Sequence, residues 1–491
     1  MWAQLAPVGV PGGVVRLELD GSLETFDQRF RAGHLDSYAA DLASPALGSD
    51  RIPALEDADA RVGRIIGNAG YRINLGASGA EALADVGTGF LGLSLGLTNQ
   101  ITLFGRMPLV SARVQPTLAL NPAAADGGPN PGQAAQGTFF GDFDAALTTL
   151  TNKIAAGDYD ANPSQKALAV ATLADATTLR GDLFGLLADP ATASPFVPTL
   201  ISTAGAAIDA RVAALQNTLE SSLSVPGFTT SPALPAEALT QAELFEGLTG
   251  PLALRLGQAK VTFRGDAEAG AAVTLIDRWD RGAHRGGLRT AISGLVRFPT
   301  GRRERSDHPL DIGTGDGQTD IQVDVVTDIG AGVLGARLTG TYLRQLPSTI
   351  LVRVTAPSQP LVGPERLAFV RRDPGDVLAI GVRPFYRLAR TFALQAGLEH
   401  WSHKADVVSY APPSGAIPGV DASVLAEESS ANATVLSVGV TYANPGGLRP
   451  GGTGLPVDAS WSYERVLRAG GGRVPDTHAV RARFRVYFGL W

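Results

Sequence analysis

The sequence predicts an all-β fold, a transmembrane antiparallel β-barrel of about twelve strands with a helical insertion in one extracellular loop. Three features predict it. Apolar and polar residues alternate along segment after segment, which sends them to opposite faces of a strand. Short connections trade places with long ones, as in barrels whose turns lie on one side of a membrane and whose loops lie on the other. No apolar run reaches the roughly 18 residues of a spanning helix, although 44% of the chain is hydrophobic and only 18% charged.

The first strand is legible in VVRLELDGSLETF, where Val15, Leu17, Leu19 and Leu23 oppose Arg16, Glu18, Asp20, Ser22 and Glu24. Residues 86–110 hold two more. Leu91, Leu93, Leu95 and Leu97 precede a break at residues 98–100, and Ile101, Leu103, Met107 and Leu109 then oppose Thr102, Phe104 and Arg106. In 260–276, Val261, Phe263, Ala267, Ala269, Val273 and Leu275 oppose Lys260, Thr262, Arg264, Asp266, Glu268 and Thr274. Leu288, Ile292, Val296 and Phe298 oppose Arg289, Ser293 and Arg297, and Ile321, Val323 and Val325 oppose Asp320, Gln322 and Asp324. Leu334, Ala336, Leu338 and Tyr342 face away from Arg337, Thr339 and Thr341. Leu378, Ile380, Val382 and Tyr386 face away from Arg383, and Phe392, Leu394, Ala396 and Leu398 from Gln395 and Glu399. Segments around 431–443 and 455–466 follow. The last strand sets Val480, Ala482, Phe484, Val486, Phe488 and Leu490 against Arg481, Arg483 and Arg485.

Short connections fall near 98–100, 279–286, 328–332, 387–390 and 445–455, and long ones at 27–67, 119–258, 300–317, 347–375, 409–430 and 467–476. An even strand count returns the chain to the side it left. The competing arrangement is a water-soluble β-protein that buries its aliphatic face against a second sheet. Against it, charges of both signs recur on the polar face, a mixture that suits a barrel lumen. Closure also removes the sheet edges that lipid would not tolerate. The aliphatic face therefore meets outer-membrane lipid. Arg16, Glu18, Asp20, Arg264, Asp266, Glu268, Arg289, Arg297, Asp320, Asp324, Arg337, Arg383, Glu399, Arg481, Arg483 and Arg485 line the lumen, where rows of opposite charge cross-pair and brace a narrow barrel.

The chain divides into first barrel strands (1–120), a mostly helical insertion (121–250) and the remaining strands (251–491). The insertion opens on NPAAADGGPNPGQAAQG, a loop of small residues, Pro and Gly. Phe143, Ala146, Leu147, Leu150 and Ile154 then recur at helical spacing, and residues 163–188 and 196–223 continue in the same way. Three or four amphipathic helices on the long-loop side are expected to cap the outer mouth.

Composition narrows the function. Lys and Arg total 41 against 47 Asp and Glu, a net charge of −6, which argues against nucleic acid as a partner. Cysteine is absent, so there is no disulfide framework. WAQLAP at the opening resembles the last residues of a signal peptide joined to a mature start, and the expectation is that the true start lies upstream or that a leader was removed. Trp491 is a terminal aromatic of the kind that barrel assembly machinery recognises, but it falls in phase with Arg485 rather than with the lipid-facing set.

No catalytic constellation stands out, and no cofactor is expected. G-x-S-x-G and H-E-x-x-H are missing. His400 and His403 lie three apart at a strand end and so point to opposite faces, which disfavours a metal; Ser402 beside them leaves a lipid hydrolase as a minor alternative. GTGDGQTD at 313–320 reads as a tight glycine-permitted loop rather than a calcium site. Trp279, Tyr342, Tyr386, Trp401, Trp461 and Tyr463 fall near strand ends, as headgroup girdles require.

Three strings also resemble an outer-membrane family, the one named after the MetA pathway of phenol degradation. GLTNQITLFGRMPLV at 96–110 is similar to its strand-turn-strand, and RGDAEAGAAVTLI at 264–276 to its next strand. GLVRFPTG at 294–301, with IGTGDGQTDIQVDV at 312–325, is similar to its PTG…GTG segment. The resemblance spans most barrel strands and omits the insertion. It implies a barrel related to hydrocarbon and long-chain fatty-acid channels, moving small hydrophobic or aromatic solutes across the bacterial outer membrane without catalysis. Strand alternation begins near Val14, which leaves no room for the N-terminal hatch of a fatty-acid channel. A structural barrel that binds a partner through its helical insertion is the alternative.

Overall fold

The computed structural model describes residues 8–279, 286–389, 391–444 and 456–490. Its main sheet has thirteen hydrogen-bonded segments and closes on itself. Two segments, Ala259–Arg264 and Ala267–Trp279, are halves of one interrupted strand, which leaves twelve staves. They are β1 (Val14–Phe26), β2 (Ala77–Gly96), β3 (Ile101–Asn121), the interrupted β4, β5 (Gly287–Phe298) and β6 (Asp320–Ala331). Then come β7 (Leu334–Gln345), β8 (Val377–Arg387), β9 (Phe392–His403), β10 (Ala431–Asn444), β11 (Val457–Gly471) and β12 (His478–Gly489). Each pairs antiparallel with the next, and β1 pairs with both β2 and β12. Met1–Pro7, Trp491 and the 445–455 connection lie outside the described residues.

The two faces of this sheet differ in chemistry. Leu19 lies in register between Phe484 of β12 and Leu91 of β2. The three are 57%, 45% and 61% exposed on the outside of the barrel. Across the barrel, Leu338, Val382 and Leu398 continue the same belt over β7, β8 and β9. Inside, Arg16, Glu18, Arg289, Asp320, Asp328 and Arg485 are all buried. Tyr342, Tyr386 and Trp461 are exposed among the outward apolar set. Trp279 is a correction to the girdle expectation: it is 8% exposed and lies under the guanidinium groups of Arg289 and Arg387. The β4–β5 register shifts between Thr290 and Ala291, which changes the phase of the last β4 residues.

Elements outside the barrel gather at the long-loop end. Helix α1 (Glu56–Ile66) comes from the first long loop. The insertion supplies α2 (Gly137–Ala156), α3 (Pro163–Leu187), α4 (Thr203–Asn217) and α5 (Gln241–Thr249). Their boundaries follow local chemistry. Asn162 caps α3 by accepting from the amides of Ser164 and Gln165, with Pro163 at its first position. Thr240 and Glu243 form a capping box on α5. Phe143, Leu150, Leu183, Ile208 and Phe196 are fully buried between these helices, and Phe143 stacks on Phe228 at 4.6 Å. The same core takes in Leu55 at the start of α1, Val62 within it, and Ala82 and Ala84 from β2. At 20 and 21 residues, β2 and β3 exceed the roughly 9–11 that cross a bilayer. Their surplus carries the helical layer.

At the short-turn end the chain enters the barrel before β1 begins. The Val10 amide donates to Thr102 Oγ1 at 2.7 Å, and Gly12 N donates to Asn99 Oδ1 at 3.1 Å. Gly96 permits this approach, because a Cβ there would collide with the Pro11 carbonyl. A short inward segment thus precedes β1, where the alternation implied nothing.

Candidate functional site

The inward charges form two clusters on opposite walls. At the seam, Arg485 donates to both oxygens of Glu18, at 2.8 and 3.2 Å, and Arg16 stands 3.7 Å from Glu18. Arg16 also donates to Ser94 Oγ at 3.1 Å, and Tyr487 donates to Asp458. One step outward, Arg483 meets Asp20 at 2.6 Å, and Arg481 meets Glu464 at 3.0 Å and Glu24 at 3.6 Å. Arg383 faces Glu464 and Glu399. On the far wall Glu268 takes Arg106 at 2.6 Å and Arg297 at 3.0 Å, and Arg297 also reaches Asp320 at 2.8 Å. Arg289 and Arg337 share Asp328, and Asp324 accepts from Thr341 Oγ1 at 2.7 Å. Apart from Arg16 and Glu18, which share β1, the opposite charges come from different strands, so each pair couples two staves.

Arg264 stands apart. Its register partner is Leu109, 62% exposed on the outer face, and partners in register share a face. The interruption at residues 265–266 reverses the phase of β4 between Arg264 and Glu268. Simple alternation carried through 260–276 does not anticipate this.

The interruption is where the loop between β5 and β6 folds inward. Thr300 Oγ1 bridges the gap, accepting from the Ala267 amide at 2.9 Å and donating to the Gly265 carbonyl at 2.8 Å. Asp266 accepts from the amides of Gly301 at 2.7 Å and Asp316 at 3.3 Å. Thr314 Oγ1 donates to the Arg264 carbonyl at 2.8 Å. Gly317 makes the return with φ +75°, in the left-handed region that favours glycine. GTGDGQTD is thus a loop clasp, with its Asp316 accepting from Gln318 and Gln345.

The infolded loop separates two cavities. The inner chamber, about 530 Å³, is walled by Phe90, Pro108, Val110, Ile350 and Val352 on its apolar side. Asp266, Glu268, Arg297, Arg303, Asp316 and Arg372 form its charged side. The outer vestibule, about 500 Å³, lies beneath Arg29, Asp41, His308, Arg353 and Arg473. Burial lowers the His308 imidazole below its ordinary value. Glu304 and Val352 line both cavities.

Arg106, Asp328, Asp458 and Glu464 belong to the inward clusters without standing among the sequence candidates. All four lie in strands, and their phase was the available signal. Arg303 and Glu304 come from a long loop, where no periodicity marks a direction, and Arg372 from a short strand, Leu367–Asp373, inside another long connection. His400 Nδ1 lies 3.1 Å from Thr434 Oγ1, and His403 Nδ1 lies 2.8 Å from the Ser429 carbonyl. Neither contacts Ser402 through these bonds. Among the described residues no three His, Asp or Glu side chains cluster as metal ligands.

Closed pairing, an apolar exterior and a charge-paired interior define a β-barrel of the membrane-spanning type. Among solved structures, the chain is similar to an outer-membrane channel from Pseudomonas putida F1, at 11% identity and TM-score 0.44, covering 99% of this chain and 100% of that one. It is similar to the CymD monoaromatic hydrocarbon channel at 9% identity and TM-score 0.29, covering 98% and 89%. A Pseudomonas aeruginosa FadL homologue follows at 9% identity and TM-score 0.27, covering 97% and 90%. Outer-membrane channels, the class named by the sequence resemblance, are thus among its structural neighbours. At such identities the likeness concerns the barrel fold and says nothing of a solute. No family profile and no curated protein matches the chain.

Proposed function

We propose that this chain is a bacterial outer-membrane channel that passes small solutes through its lumen, hydrophobic or aromatic ones among them. The observation that carries it is the inner chamber of about 530 Å³, enclosed by a barrel whose outer surface is an apolar belt. A volume of roughly 300–1,000 Å³ suits small organic molecules. Phe90, Val110, Ile350 and Val352 offer such a molecule an apolar wall, and the opposite wall keeps the chamber wet. Lipid outside and water inside account for both faces of every stave.

The test is reconstitution of detergent-folded protein into planar bilayers. Discrete conductance steps are expected, together with uptake of a small aromatic such as benzyl alcohol into proteoliposomes faster than into protein-free vesicles. Silent bilayers and unchanged uptake would overturn the proposal.

A further inference from the structure

We infer that Glu304 is the charge that selects solutes at the waist between vestibule and chamber, favouring cations and cationic groups over anions. The inference rests on the transport reading above. Two residues line both cavities, Glu304 and Val352, so a solute moving from one to the other passes a carboxylate and an isopropyl group.

Position alone would not single out Glu304, because many charges surround it. Most have strong partners, while Arg303 and Arg353 donate to backbone carbonyls. Asp266 is held by two backbone amides, and Glu268 by Arg106 and Arg297. Arg372 pairs with Asp406 at 2.7 Å. In the vestibule Arg29 and Arg473 converge on Asp41, and Arg305 pairs with Asp307 at 2.9 Å. A one-to-one pair presents a dipole, whose field fades faster than that of a single charge, whereas the arginines on Asp41 and Glu428 outnumber their carboxylates and keep the vestibule rim cationic.

Glu304 makes no hydrogen bond and no ion pair among the described residues. Its side chain is solvent-exposed yet enclosed by the barrel mouth, so it faces trapped water rather than bulk. The loop that carries it is clasped to β4 through Asp266, Thr300 and Thr314, which fixes the carboxylate in the passage. A single charge in a low-dielectric constriction focuses the field on whatever passes.

The experiment uses the full chain in planar bilayers under a KCl gradient, with reversal potentials read for wild type, Glu304→Gln and Glu304→Lys. Cation preference is expected to fall severalfold in Glu304→Gln and to invert in Glu304→Lys. Val352→Trp, at the other residue shared by both cavities, is expected to reduce conductance with little change in selectivity. If wild type conducts but neither Glu304 variant moves the reversal potential, the inference falls and transport stands. If Val352→Trp conducts like wild type, the waist is not on the path and the inference falls as well. If wild type itself is silent in membranes that hold folded barrel, transport falls and takes the inference with it.

Discussion

Arg485 of the last strand donates through Nε to Glu18 Oε2 of the first at 2.8 Å, across the seam where the barrel closes on itself. Both residues are buried, and Arg16 stands on the other side of the same carboxylate. Removing the shared anion leaves two buried guanidinium groups facing each other. Breaking a buried pair from one side costs about 3–5 kcal/mol, because the remaining charge is uncompensated. Glu18→Ala is therefore expected to lower the unfolding free energy of the folded barrel in micelles by about 3–5 kcal/mol, read from urea midpoint and slope. Glu18→Met combined with Arg485→Met should recover part of the loss, since the charges then left at the seam, Arg16 and Asp458, are of opposite sign. A midpoint unchanged in Glu18→Ala would show that the seam does not depend on this pair.

The belt through Leu19, Phe484 and Leu91 makes a second expectation. A cation placed at the middle of a lipid-facing strand costs about 2–4 kcal/mol. Leu19→Arg should destabilise folded barrel in lipid vesicles by about that much, whereas Ser22→Arg, on the inward face of the same strand, should cost much less. Urea unfolding in vesicles, followed by tryptophan fluorescence, compares the two. Equal costs on both faces would contradict lipid as the solvent of the outer surface.

Thr300 bridges the interruption in β4 with one hydroxyl that both donates and accepts. Thr300→Val keeps the shape and removes both bonds, leaving the Gly265 carbonyl and Ala267 amide without their partner. Each unsatisfied group costs about 1–3 kcal/mol when buried. The infolded loop should loosen while the barrel stays folded. Trypsin, which cuts after Arg302, Arg303 and Arg305, is expected to nick the variant faster than wild type. Thr149→Val, on an exposed face of α2, should leave the rate unchanged.

The protein crowded around the Glu304 carboxyl thins its water, although the side chain still touches solvent, and pushes it above its ordinary value of 4.5; Arg372 opposes the shift and Asp311 adds to it. Between 4.5 and the raised value the folded protein holds more protons than the unfolded chain. Stability from this group is thus greatest below 4.5 and is lost as pH rises through the window. Glu304→Gln should therefore gain thermal stability over wild type at pH 7, and the gain should shrink toward pH 4. Cation selectivity of wild type should decline on acidification from above 4.5, since the carboxyl neutralises early. Asp311, Asp316, Asp266, Glu268 and Asp41 also face these cavities, as do His308 and the cations Arg297, Arg303, Arg372, Arg29, Arg305, Arg353 and Arg473. All are common to both proteins, so the difference between the two pH profiles reports Glu304. Superimposable profiles would contradict the assignment.

The barrel was legible because each stave repeats one rule. Leu17, Leu19 and Leu23 against Arg16, Glu18 and Asp20 state the two faces without any neighbour, and the other strands repeat the pattern. The helical insertion declared itself by a change of period at Phe143, Ala146, Leu147 and Leu150. Helix α1 was not anticipated, since Val62, Ile65 and Ile66 lie in a short segment of a long loop and find their core only against α3 and α4. Trp279 looked like a headgroup anchor by its place at a strand end. One register shift in β4 turns it inward beneath two arginines.

By itself, then, the sequence determined the number of staves, the chemistry of their two faces and the position of the helices, since local periodicity and turn chemistry act over a few residues at a time. Only the tertiary structure decided which charges meet, where β4 reverses its phase, and that the 299–319 loop folds inward to set Glu304 between two cavities. Those outcomes depend on pairing between residues far apart in the chain, such as Glu18 with Arg485, and an aperiodic loop carries no local signal of the wall it will touch.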